Sequence, residues 1–161
     1  MPSRRVRDRV LGLVEKYDAK LVEKLCQLWL SSWAGPAPGD LVIARTSALR
    51  HCGRTDDAIS CTDILLLEMS GLSRSEQRIL LTQRAALWLD KFEYRNDPIF
   101  LDRAERCAAR SYRIEPSEAC SLVYQQLKKL RSDYREEQSA GPRSLGARAR
   151  TTEEKWGKRG L

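Results

Sequence analysis

Apolar residues recur at steps of three and four along most of this chain, the spacing that places them on one face of a helix. The first stripe runs through Val6, Val10, Leu13, Val14, Tyr17, Leu21, Leu25 and Leu28, and it predicts an N-terminal helix over residues 3–33 with Trp29 and Trp33 near its end. Ala34-Gly-Pro-Ala-Pro-Gly39 stops it, since two prolines and two glycines cannot continue a helix. The pattern resumes at Asp40 through Leu41, Ala44, Ala48 and Leu49, halts at Cys52-Gly53, and restarts near Thr55 through Ala58, Ile59, Thr62, Leu65 and Leu66. So short a turn between two stripes predicts an antiparallel helical hairpin ending around Ser70-Gly71.

Local signals mark the next boundaries. Ser73-Arg-Ser-Glu76 has the form of a capping box, in which the Ser hydroxyl and the Glu carboxylate satisfy each other's exposed backbone N–H groups. A long helix to about Tyr94 follows. Its apolar positions Ile79, Leu80, Leu81, Ala85, Trp88, Leu89 and Phe92 cover more than one face, which predicts neighbours on both sides. In Asn96-Asp97-Pro98 the Asp is a helix cap and the Pro occupies the first helical position, where its missing N–H costs nothing. That helix runs to about Ile114, Pro116 breaks it, and a last helix carries the stripe Val123, Leu127, Leu130 and Tyr134. The prediction is an all-α domain over residues 1–137: an N-terminal flanking helix, two hairpins over 40–115 and a capping helix over 116–137. Residues 138–161 read as a basic flexible tail, because they hold almost no large apolar side chain apart from Trp156.

Composition agrees with one packed domain: 161 residues, 42% hydrophobic and 32% charged, with no apolar run long enough to cross a bilayer. Neither a signal peptide nor a membrane span is expected. Five cysteines, odd in number and without a C-x-x-C pair, point to small buried residues in a reducing cytoplasm rather than a disulfide scaffold or zinc site. The net charge of +7 is unevenly placed. Residues 1–9 hold four Arg and one Asp, residues 138–161 hold six basic and two acidic residues, and the remaining nineteen of each sign fall between, so the body is neutral and the ends are basic.

The stretch from Leu41 to Pro116 resembles the tetratricopeptide repeat, a helix–turn–helix unit with small residues where its helices touch. Gly53-Arg-Thr-Asp-Asp-Ala58-Ile59 looks like the family's turn followed by its close-contact alanine, and Ala104, Ala108, Ser111 and Pro116 match the small residues and terminal proline of its second helix. The resemblance implies stacked hairpins that hold a segment of another protein, without catalysis.

Candidate chemistry is sparse. His51 is the lone histidine, and its neighbour Cys52 points elsewhere on a helix, so the two do not form a nucleophile–base pair. No phosphate-binding, dinucleotide or zinc-protease motif occurs, and no metal or cofactor is expected. Asp56-Asp57 reads as an acidic first turn opposing the helix dipole. Asp90, Glu93 and Asp97, with Asp102 and Glu105 across the turn, form the densest acidic group and, with Trp33 and Trp156, are the candidate partner-binding residues. The leading expectation is a cytoplasmic protein–protein adaptor or assembly subunit. The alternative is a nucleic-acid-associated subunit gripping a phosphate backbone through Arg4, Arg5, Arg7, Arg9, Arg143, Arg148, Arg150, Lys155, Lys158 and Arg159.

Overall fold

A computed structural model describes residues 19–31 and 39–140, and every regular element among them is helical. The helices are α1 (Ala19–Ser31), α2 (Gly39–His51), α3 (Thr55–Leu67), α4 (Arg74–Arg95), α5 (Ile99–Ile114) and α6 (Glu118–Ala140), with a 3-10 turn at Met69–Gly71. By its internal contacts the chain divides into a unit up to Leu127 and a second from Lys128, of which residues 128–140 are described. The division falls inside α6 rather than at the sequence-predicted boundary of 137. Burial explains the difference, since Cys120, Val123 and Leu127 are the buried residues of α6 and all belong to its first half. The helix also continues to Ala140, three residues into the expected tail. In the second unit, Ser132 donates to Glu136 at 3.3 Å and Ser139 to the Arg135 carbonyl at 2.6 Å.

The boundaries in the first unit follow from local chemistry. Gly53, at φ 73°, closes α2 in a left-handed turn in which its N–H reaches the Arg50 carbonyl at 3.0 Å and the Arg54 N–H reaches Leu49 at 2.9 Å. The capping box forms as predicted: Glu76 N–H donates to the Ser73 hydroxyl at 3.2 Å, and Ser73 N–H to the Glu76 carboxylate at 2.7 Å. Asn96 (φ 53°) ends α4, and the Asp97 carboxylate then accepts from the Ile99 N–H at 3.0 Å while Pro98 adopts helical dihedrals. That is the capping role assigned to Asp97 from sequence.

Packing is organised around α4. It pairs with α5 as one antiparallel hairpin, α2 pairs with α3 as the other, and α4 also lies against both helices of that first hairpin. Leu80, Leu81, Ala85, Leu87, Trp88, Leu89 and Phe92 are all buried, as two-sided packing requires. Contact faces use small residues, with Ala48, Ala58, Ala85, Ala104 and Ala108 fully covered. The alanines let backbones approach while flanking leucines supply apolar area.

Helix α1 departs from its predicted register. Leu21, Leu25 and Leu28 are exposed, whereas Val22 and Cys26 are buried. Glu23 turns inward with them, 3.6 Å from Arg45 and 3.8 Å from Arg54. The stripe of leucines looks like the stronger apolar face, yet it is Val22 and Cys26 that α1 buries, with Glu23 beside them facing two guanidiniums of the first hairpin. Tyr94, near the predicted end of α4, is 84% exposed because it falls on the outer side of the helix's last turn. The earlier part of the predicted N-terminal helix, the Pro/Gly segment before Gly39 and the tail beyond Ala140 lie outside the described residues.

Replacing Ala58 or Ala104 with Leu should destabilise the fold by about 1–3 kcal/mol through overpacking. Urea unfolding checks this, and unchanged midpoints for both variants would show that these contacts have slack.

Candidate functional site

Of the sequence-predicted partner-binding residues, Asp90, Glu93 and Asp97 are described. Asp90 on α4 faces Arg50 on α2, accepting from Nε at 2.5 Å and from Nη2 at 2.9 Å. This two-pronged pair joins the two hairpins, and it holds the guanidinium more firmly in its charged form, first through the hydrogen bond itself. Glu93 is exposed, with Gln126 Nε2 3.4 Å away. Asp97 serves as a cap. Asp90 and Asp97 thus each carry a bond within the fold, while Glu93 and Asp97 stand exposed. Trp33, Trp156 and all ten basic residues assigned to nucleic-acid contact lie outside the described residues.

The remaining chemical candidates are placed as follows. His51 is exposed, its Nδ1 2.8 Å from the Ser47 carbonyl. Asp57 pairs with Arg54 at 2.8 Å, and Asp56 with Lys91 at 2.6 Å. Thus the acidic first turn of α3 also ties it to α4. Among the described residues no three His, Cys, Asp or Glu side chains cluster as a metal site, and no helix is long and apolar enough to cross a membrane. All five cysteines are free; Cys26, Cys61 and Cys120 are buried, Cys52 and Cys107 half-buried. Burial pushes the Cys26 thiol up to about 11, opposed by nearby Arg45 and reinforced by Glu23.

The most distinctive chemistry lies where α3, α4 and α5 meet. Trp88 of α4 stacks on Phe100 of α5, with ring centroids 5.7 Å apart and planes 6° from parallel. Cations surround this pair. Arg84 sits 5.3 Å from the Trp88 centroid, Arg103 sits 4.8 Å from it, and Lys91 lies 5.4 Å from Phe100. Arg84 is mostly buried and anchored on α3, with Nη1 2.6 Å from Asp63 and 2.5 Å from the Thr62 hydroxyl. Next to it opens a cleft of about 220 Å³ lined by Arg84, Trp88, Arg103, Arg106 and Cys107. Burial raises the Cys107 thiol above its ordinary value, while Arg84 and Arg110 act in the opposite sense.

The cations of the described residues differ in how they are paired. Arg45, Arg50, Arg54, Arg78, Arg84 and Lys91 each meet a carboxylate within the fold. Arg103, Arg106 and Arg110, at helical spacing along α5, meet none among the described residues. Sequence reading missed this cleft. The spacing of Arg103, Arg106 and Arg110 was visible, but the approach of Trp88 and Arg84 from another helix was not.

Two outcomes follow. Asp90→Ala should lower stability by about 1 kcal/mol, and a double-mutant cycle with Arg50→Ala should show favourable coupling, measured by urea unfolding. For Cys26 the folded thiol ionises near 11 against 9.0 in its unperturbed state. Its burial therefore contributes stability present in full below pH 9 and lost as pH rises from there toward about 11. Stability measured across that window should fall less steeply in Cys26→Ala than in the native chain; equal slopes would refute the assignment.

Compared with known protein families, curated proteins and solved structures, the chain finds no match.

Proposed function

We propose that this protein is a non-enzymatic adaptor or assembly subunit, built from two tetratricopeptide-like hairpins, that binds a segment of another protein. The observation that carries the reading is the position of α4. As first helix of the second hairpin it packs on its own partner α5 and on both helices of the preceding hairpin, as repeats do when they stack side by side into an array. Buried Ala58, Ala104, Ala108 and Ser111 occupy the small-residue positions that such a unit needs. Stacking of this kind leaves the outer edges of the hairpins unpaired and rigidly held, which suits recognition of a partner without a large ordering cost. The five free thiols fit a reducing, cytoplasmic setting.

The test is affinity purification of the full chain from cells, with and without nuclease, alongside a form lacking residues 1–5 and 142–161. A protein partner should be retained in stoichiometric amount after nuclease and by the shortened form, because the hairpins build the binding surface. Retention that requires nucleic acid, together with oligonucleotide binding that disappears with the basic ends, would replace the adaptor by a nucleic-acid-associated subunit.

A further inference from the structure

The geometry points to the cleft between α4 and α5 as a binding site for a carboxylate-rich segment of a partner protein, a specificity that rests on the adaptor reading. Arg103 and Arg106 supply the first argument. Their guanidinium forks match carboxylates in shape, and no carboxylate among the described residues occupies them, although most cations of α2 and α4 are matched within the fold. Arg103 is also held in place by its position over the Trp88 ring, so little side-chain freedom is lost when an anion arrives.

The surroundings decide which anion fits. Trp88 is only 6% exposed, covered by Phe100 and by cations, so the ring face on which a nucleobase would stack is already taken. On α3, Asp63 and Asp56 already neutralise Arg84 and Lys91, which leaves Arg103 and Arg106 as the cleft's cations open to an incoming anion. Arg110 extends the basic line beyond the cleft, along the same side of α5. An acidic peptide lying along α5 would thus meet Arg103, Arg106 and Arg110 in turn.

The probe is a fluorescein-labelled peptide of alternating Glu and Ser, measured by anisotropy against the full-length protein. Its counterpart with Gln for Glu and a labelled single-stranded oligonucleotide are the comparison arms. The acidic peptide should bind, more weakly as salt rises, and the Gln peptide should not. Arg103→Glu/Arg106→Glu should weaken binding about tenfold or more. Arg106→Glu alone, at an exposed position, should weaken it in the same direction, with helicity checked by circular dichroism. Cys107 gives a local readout, because it lines the cleft. Saturating peptide should slow its alkylation, read site by site by mass spectrometry, and leave Cys52 unaffected. The proposal is overturned if the acidic peptide fails to bind, if its affinity is the same for the Arg variants, if Cys107 is not protected, or if the oligonucleotide binds more tightly and is the probe those variants lose. A failure here with a protein partner still retained after nuclease removes the cleft assignment alone. Absence of any such partner removes the adaptor reading itself.

Discussion

The fold of the first unit depends on the burial of α4 on more than one side. A helix with so many covered apolar residues has no stable existence at a surface, since each large side chain left in water would forgo about 1.5–3 kcal/mol. It therefore requires α2 and α3 on one flank and α5 on another. Alanines at the crossing points set how near those neighbours come, and Arg50–Asp90 and Lys91–Asp56 fix the hairpins to each other at the rim.

The same constraint creates the candidate site. Because α4 is held centrally, Trp88 and Arg84 are brought from its side to meet Phe100 and Arg103 of α5. Asp63 neutralises Arg84 from α3, and among the described residues no equivalent carboxylate reaches Arg103 or Arg106. Partial neutralisation of this kind leaves a cationic edge beside a covered aromatic pair. Such an edge favours an anionic protein segment on grounds of charge and shape, and Arg103 is already positioned for it over the Trp88 ring.

Polar groups inside the second hairpin give it register. The Thr82 and Ser111 hydroxyls lie 2.7 Å apart across α4 and α5, and Ser111 also donates to the Arg78 carbonyl at 3.0 Å. Arg78 in turn faces Glu115 at 3.3 Å, while Cys120 of α6 points its thiol at the Ala108 carbonyl at 3.4 Å. Buried hydroxyls that bond across an interface penalise sliding, because any shift would leave them unsatisfied.

Much of the secondary structure was legible in the sequence because its determinants are local. Gly53, the Ser73–Glu76 box, Asp97-Pro98 and Pro116 each act within a few residues of themselves, and the helix boundaries fall beside them. The two-sided apolar pattern of α4 likewise announced a central helix. The tertiary structure decided what depends on residues distant in the chain. Which face of α1 is buried, Val22 and Cys26 with Glu23 opposite Arg45 and Arg54, was set by packing on the first hairpin, and Asp90 became a strut because Arg50 lies opposite. The cleft belongs to the same class. Periodicity places Arg103 and Arg106 on one side of α5, but it says nothing of Trp88 fifteen residues earlier, whose position follows only from the packing of α5 on α4.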